Sequence, residues 1–316
     1  MVPVSDDINE QRKQKVQELR SRGIDPYPRR FDRTHTAKEA IAELEKREKS
    51  GTTEQAIISL AGRIMAIRKM GKASFMDLRD GTGKIQLLFQ TGNYDNDTLE
   101  LFKSLDIGDT LGVEGALLRT RTGEPTVSVA KFTLLSKSLR PLPEKWHGLS
   151  DTEIRYRQRY LDLIASPAVK DVFYTRSRIV TAVRKFLDSH GFLEVETPIL
   201  QAAAGGALAT PFITHHNALD QDRYLRIAVE LHLKRLIVGG YDRVYELGRN
   251  FRNEGIDTQH NPEFTLLETY EAYADYMKVM EMVEQMIPFV AREVLGTDVI
   301  TYQGNTINLA PPWKRI

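Results

Sequence analysis

From Ser74 to Arg79 the chain alternates in type, with Ser74, Met76 and Leu78 interleaved with Phe75, Asp77 and Arg79. A period of two sends successive side chains to opposite faces of a strand, so Met76 and Leu78 are expected to face a core. Phe75 then lies on the polar face with Asp77 and Arg79. Strand-like runs also cover residues 57–67, 84–89, 110–118 and 126–134. Asp80-Gly81-Thr82-Gly83 is a four-residue hairpin connection, and residues 121–125 make another turn. Leu99, Phe102 and Leu105 recur at helical spacing over 98–105. Three strands, a helix and two strands is the order of an OB-fold, a small barrel used for oligonucleotides.

Helical patterns flank that block. Residues 9–22 read as a mostly solvated helix with Val16 and Leu19 as sparse apolar points, stopped by Gly23 and followed by an arm through Pro26 and Pro28. Residues 37–49 form a second short helix. Residues 139–147, with Pro141 and Pro143, read as a linker. Residues 155–160 are basic with interleaved aromatics. Such a run can touch phosphates, but a helix with one charged, solvated face is the favoured reading. Over 172–190, Ile179, Val183, Phe186 and Leu187 form a stripe, with Gly191 as its stop. A strand over 192–196 leads to Thr197-Pro198. Residues 226–230 read as a strand ending in Glu230, followed by a helix over 232–238. Strands over 243–250 and 263–272 flank a polar loop, then come a helix over 277–295 and short strands around Gly304. The expected fold class is α+β: N-terminal helices and arm (1–56), an OB-fold β-barrel (57–138), a linker (139–150) and a second domain (151–316).

Composition narrows the function classes. A net charge of +1 over 316 residues leaves no global field for nucleic acid, so any basic surface must be local. Zero cysteines remove disulfides, thiolate catalysis and Cys-ligated zinc. No apolar run approaches the roughly 18 residues of a membrane span, and residues 1–10 carry no signal-peptide core. A cytoplasmic, soluble protein without membrane attachment is expected.

Four features carry candidate chemistry. Arg252 alternates with Asn250, Gly248 and Glu246, and its planar fork suits a phosphate and a carboxylate; alone, a surface salt-bridge arginine is the better reading. His260, Asn261 and Phe264 follow in the same loop, where Phe264 can stack an adenine or simply be a buried hairpin residue. Phe264, Leu266, Glu268 and Tyr270 share one strand face. An acid on an apolar face is costly unless a cation meets it, so Glu268 and Glu230 suit a substrate with more than one ammonium, or pair internally. Gly205-Gly206 allows close approach of backbone to a ligand, or makes a plain turn. On the barrel, an exposed Phe75 beside Arg68, Lys69 and Lys72 can stack a base, unless twist tucks it inward.

Together these residues resemble a known family. Residues 186–200, a helix, a strand and Pro198, resemble motif 1 of the class II aminoacyl-tRNA synthetases, and residues 243–270 resemble motif 2. Phe251-Arg252-Asn253-Glu254-Gly255 followed by His260-Asn261-Pro262-Glu263-Phe264 is similar to the lysine-specific branch of bacterial type. The resemblance extends to residues 71–75, 82–87 and 140–164, and so covers nearly the whole chain.

The resemblance implies a class II antiparallel sheet with flanking helices after the barrel, and ligation of L-lysine to tRNA(Lys) with ATP and Mg²⁺. It implies that Arg252 holds the α-phosphate and the lysine carboxylate, as catalytic residue. Glu254, His260, Asn261 and Phe264 complete the ATP site. Gly206, Glu230, Glu268 and Tyr270 line the lysine pocket with Arg252, the two acids not being divided between the amino groups. Arg68, Phe75 and Gln86 read the anticodon, and Pro198 lies at a homodimer interface.

Thr210, where the family carries Arg, and Val229, where Pro is common, depart from the pattern next to the lysine pocket and away from motif 2. A motif 3 and the acidic metal ligands are not found before Ile316, so no metal site is expected within this chain. The chain reads as an incomplete ligase that does not aminoacylate alone, the alternative being a non-catalytic tRNA anticodon-binding fragment.

Overall fold

The computed structural model describes residues 6–52, 54–143, 149, 151–257 and 259–315. It divides into two compact units, Met1–Pro167 and Ala168–Ile316.

The first unit runs α1 (Asp6–Ser21), α2 (Ala37–Ser50), β1 (Ile57–Met70), β2 (Ala73–Arg79), β3 (Lys84–Gln90), α3 (Asn96–Ser104), β4 (Thr110–Arg119), β5 (Pro125–Ser136), α4 (Thr152–Arg157) and α5 (Arg159–Ala165). The five strands close into a barrel in the order β1-β2-β3-β5-β4, the OB-fold arrangement. Alternation along β2 is realised as read: Ser74, Met76 and Leu78 are buried, while Phe75, Asp77 and Arg79 are half-exposed. Leu60, Ile64, Met76, Leu87, Phe89 and Leu111 form the fully buried centre. Helix α3 plugs the barrel with Phe102, 5.0 Å from the Phe89 ring. Asp95 caps that helix by accepting from the Thr98 nitrogen at 2.8 Å.

Helix α1 is less solvated than its charge suggests. Val16, Leu19 and Arg12 are buried, and Arg12 donates to the carbonyls of Ile107, Ser138 and Arg140. The Lys137 ammonium, also buried, meets Asp106 at 2.6 Å and Asp109 at 2.7 Å. Both cations are paired at low exposure, the condition under which burying them is tolerable. Of the expected linker (139–150), residues 144–148 and 150 lie outside the described residues, and 139–143 have no regular structure. The basic 155–160 run breaks at Gln158 between α4 and α5. Arg155 and Arg159 both turn onto buried Asp162, rather than forming one solvated face.

The second unit runs α6 (Pro167–Ser189), β6 (Leu193–Glu194), β7 (Leu200–Gln201), β8 (Ile213–His216), β9 (Gln221–Leu225), α7 (Glu230–Val238), β10 (Arg243–Phe251), β11 (Glu263–Glu271), α8 (Tyr276–Leu295), β12 (Val299–Tyr302) and β13 (Asn305–Asn308). Its sheets are β11-β10-β6, β7-β9-β8 and β12-β13. The β10–β11 pair is antiparallel, whereas β6 joins β10 in parallel. Helices α6 and α8 cover the Tyr245 face of β10 through Phe186, Leu187 and Met286. Ile179 is 40% exposed, outside the stripe that its spacing suggested.

The strand expected over 226–230 is not formed. The strand is β9, which ends at Leu225. Arg226 leaves it because its guanidinium is drawn inward, donating to the carbonyls of Arg249 and Thr197 and to the Glu246 carboxylate. Glu230 consequently opens α7 instead of ending a strand. None of the helices of the described residues is long and apolar enough to cross a membrane.

Candidate active site

The β10–β11 hairpin sets the site. Its register pairs Glu246 with Glu268, Gly248 with Leu266 and Asn250 with Phe264. Opposed residues of an antiparallel pair share a face, so β10 and β11 project one row each onto the same surface. Arg252 follows the end of β10 and is held by its backbone nitrogen, which donates to the Pro262 carbonyl at 2.8 Å. Its guanidinium carbon lies 5.1 Å from the centre of the Phe264 ring.

Arg252, Glu254, His260, Asn261 and Phe264 line one cavity of about 430 Å³ together with Gly255 and Gln259. That volume lies in the range of small-molecule sites, roughly 300–1,000 Å³. Asp257, which the sequence did not single out, organises the loop. One oxygen accepts the backbone nitrogens of Gln259 and His260, each at 2.7 Å, and the other meets His260 Nδ1 at 2.8 Å. The Gln259 N–H first, then the His260 contacts, hold the Asp257 carboxyl below its ordinary range.

Three buried polar atoms among the described residues lack a hydrogen-bond partner: Asn250 Nδ2, Asn250 Oδ1 and Arg252 Nε. They belong to Asn250, next to last in β10, and to Arg252, just past its end. An unpaired buried polar group costs about 1–3 kcal/mol, so their clustering marks a place built around something further.

The residues expected around an amino acid lie farther along β11. Phe264 to Glu268 is four residues, about 14 Å of antiparallel strand. The Tyr270 hydroxyl donates to Glu268 at 3.1 Å. Burial, then the charges of Glu268 and Glu230, push that phenol up from its ordinary value. Glu230 opens α7 between Val229 and Leu233, both of the buried cluster against which Tyr270 packs. Gly206, at φ +87°, packs against Glu230: a Cβ at 206 would lie 3.1 Å from Glu230 Cβ and 3.2 Å from Ala228 Cβ. Only glycine meets both the backbone angle and the contact.

The acids differ in their partners. Glu230 binds the Lys234 ammonium at 2.6 Å, one turn along α7. Glu246 is buried against Arg226 and accepts from Thr197 Oγ1 at 2.7 Å. Gly248 makes room for this pair, since a Cβ there would lie 2.5 Å from Arg226 Nη2. Glu268 meets no cation within ion-pair distance among the described residues.

Thr210 does touch the motif 2 segment, contrary to expectation. Its carbonyl accepts from the Asn253 nitrogen at 2.8 Å, and its own nitrogen donates to Glu254 at 3.3 Å. These are backbone groups, which any residue at 210 supplies, so the side-chain departure leaves the contact intact. Val229 is buried and precedes the first residue of α7. Pro198 is exposed, beside exposed Ile199 and Leu200.

On the barrel, Arg68 stands opposite Phe75 across β1 and β2, and Gln86 stands opposite Asp77 across β2 and β3. Arg68 donates to Asp77 at 2.7 Å. Burial pushes the Asp77 carboxyl up, but Arg68 and Lys84 together bring it below its ordinary value. Thr126 Oγ1 donates to Gln86 Oε1 at 3.0 Å. Phe75, on the strand between those of Arg68 and Gln86, is half-exposed.

Comparison with known proteins agrees with both halves. Residues 151–316 match the family of tRNA synthetases class II (D, K and N), and residues 58–135 match the OB-fold nucleic acid binding domain. A lysine–tRNA ligase of Dehalococcoides mccartyi is 56% identical over 309 residues, covering 98% of this chain and 62% of that protein. Lysine–tRNA ligases of Pelotomaculum thermopropionicum and Moorella thermoacetica are each 57% identical, covering 98% of this chain and 61% and 62% of theirs. The chain thus spans about three-fifths of the length of the curated relatives it matches.

Proposed function

The chain belongs to the class II tRNA synthetases of the D, K and N group, and from that premise we propose that it serves the ATP-dependent ligation of L-lysine to tRNA(Lys). The observation that carries the choice of lysine is Glu268: a half-buried carboxylate opposite buried Glu246, with a tyrosine hydroxyl but no cation within ion-pair distance among the described residues. Such a group calls for an ammonium. Glu230 supplies a second acid for the other amino group once Lys234 yields it.

Arg252 is the catalytic residue in this reading. Its fork spans the lysine carboxylate and the α-phosphate, bringing nucleophile and electrophile together and neutralising charge as they react. The carboxylate oxygen attacks the α-phosphorus, the bond to pyrophosphate breaks, and lysyl-adenylate forms. The terminal ribose hydroxyl of the tRNA then attacks the acyl carbon and AMP leaves. Phe264 offers its ring to the adenine, and Glu254, His260 and Asn261 line the nucleotide cavity. No group of three or more His, Cys, Asp or Glu among the described residues converges to hold a metal.

Arg68, Phe75 and Gln86 form the anticodon-reading face. The exposed Pro198, with Leu193, Ile199 and Leu200 exposed nearby, suits a homodimer contact, and a cytoplasmic location goes with this reading.

Titration calorimetry of ATP into the chain tests the nucleotide half. Wild type binds, and Arg252→Ala and Phe264→Ala each bind at least about tenfold more weakly, a change of about 1.4 kcal/mol. Equal binding by Arg252→Ala and wild type would sink the reading.

A further inference from the structure

A second cleft lies in the first unit, on the face that carries Phe75. It encloses about 270 Å³ and is lined by Asp77, Arg79 and Lys84 on β2 and β3, Met65 on β1, Leu142 and Pro143, and Ile164 and Ala165 at the end of α5. Met65 reaches it from the bulge between Ile64 and Ala66, where β1 slips its register against β2; bulges re-aim side chains in this way.

The walls are of two kinds. Leu142, Pro143, Met65 and Ile164 give apolar surface. Arg79 and Lys84, opposite each other across β2 and β3, give positive charge at the rim. Lys84 is partly neutralised by Asp77 at 3.5 Å and Glu124 at 4.0 Å. Arg79 meets no carboxylate within ion-pair distance among the described residues, and its one hydrogen bond is a long one, 3.3 Å to the Ile164 carbonyl. An apolar slot with an unneutralised guanidinium at its mouth suits a flat ring attached to a phosphate.

Its position says which ring. Phe75, Asp77 and Arg79 are consecutive residues of one β2 face, so the cleft begins about 7 Å from Phe75 at Asp77 and reaches Arg79 about 14 Å along the strand. A base stacked on Phe75 brings its near neighbours in the same single strand to the cleft. The volume falls just below the roughly 300–1,000 Å³ of small-molecule sites, which favours one base over two. We infer that the cleft at Arg79 and Leu142 binds the base and phosphate of a nucleotide flanking the anticodon triplet. The inference rests on the anticodon reading of Arg68, Phe75 and Gln86.

The test uses a 17-nucleotide RNA hairpin displaying three uridines in its loop, and two versions made abasic immediately 5′ or 3′ of the triplet. Affinities are read by fluorescence anisotropy at one fixed salt concentration. Wild type binds one of the abasic hairpins about fivefold or more weakly than the intact one, in line with the worth of a stacked base. Arg79→Gln, and Ala165→Phe, which fills the cleft without touching the charge, bind the intact hairpin only as well as wild type binds that abasic one. If wild type binds all three hairpins equally, or both variants keep the full preference, the inference is overturned while triplet recognition stands. If Phe75→Ala binds the intact hairpin as tightly as wild type, the anticodon reading itself fails, and this inference with it.

Discussion

The guanidinium of Arg252 lies over the ring of Phe264, 5.1 Å from its centre. In the proposed function these are the catalytic cation and the adenine platform, and they already lie against one another in this chain. The contact also sets a geometry that only a planar cation reproduces. Arg252→Lys keeps the charge but loses the fork and the stacking plane. It is expected to lower ATP affinity nearly as far as Arg252→Ala, which a parallel titration of the two variants checks.

The Arg226–Glu246 pair is the structural floor under that surface. Both side chains are buried, and Gly248 is small so that the pair fits. Removing one partner leaves an uncompensated buried charge, so Arg226→Met is expected to cost about 3–5 kcal/mol of stability. The double variant Arg226→Met/Glu246→Leu should lose clearly less. Urea denaturation of the single and double variants decides it; a double variant as unstable as the single one contradicts the pairing argument.

The barrel was legible because period-two alternation is local and each strand meets a sequence neighbour. Met76 and Leu78 against Phe75 and Asp77 fixed the faces, and 80–83 fixed a register. The β10–β11 hairpin was legible for the same reason. Arg226 was not: Arg-Ile-Ala-Val reads as strand, and only the distant Glu246 and the Arg249 carbonyl pull it out of one. The strand at Leu193 was read, though longer than the two residues that form, whereas the two-residue strand at Leu200 leaves no period to detect. Asp257 was missed because an acid that accepts backbone N–H groups in a loop looks like any polar loop residue. Thr210 was set apart from motif 2 because its contacts there use backbone atoms, on which the residue type is silent.

Asn250 offers a stability signature. Its amide is buried with both polar atoms unpaired. Replacing such a group by an apolar one of similar size relieves the desolvation cost, so Asn250→Leu should raise ligand-free stability by about 1 kcal/mol. If the amide finds its partner only when substrate organises Arg252, ATP should stabilise Asn250→Leu less than wild type. Denaturation curves with and without ATP measure both quantities.

Tyr94 gives an alkaline limit to the barrel. Its hydroxyl donates to the Val129 carbonyl at 2.5 Å, and burial pushes its pKa from 10.0 up to about 12. Between those values the folded protein holds a proton that the unfolded chain has released. The Tyr94 contribution is therefore complete below pH 10 and is lost as pH rises toward 12. Tyr94→Phe should show a shallower loss of stability across that window in denaturant titrations at stepped pH. An identical slope would show that the phenol does not titrate as its burial requires.

In the proposed function Glu268 makes this member of the D, K and N group specific for lysine. Calorimetric titration of L-lysine, L-aspartate and L-asparagine into the chain, with ATP present, tests it most directly. The account predicts that lysine alone binds, and that Glu268→Gln, which leaves the Tyr270 hydroxyl an acceptor but removes the charge, weakens lysine by about tenfold or more. Binding of aspartate or asparagine as tight as that of lysine, or lysine affinity unchanged in Glu268→Gln, would contradict it.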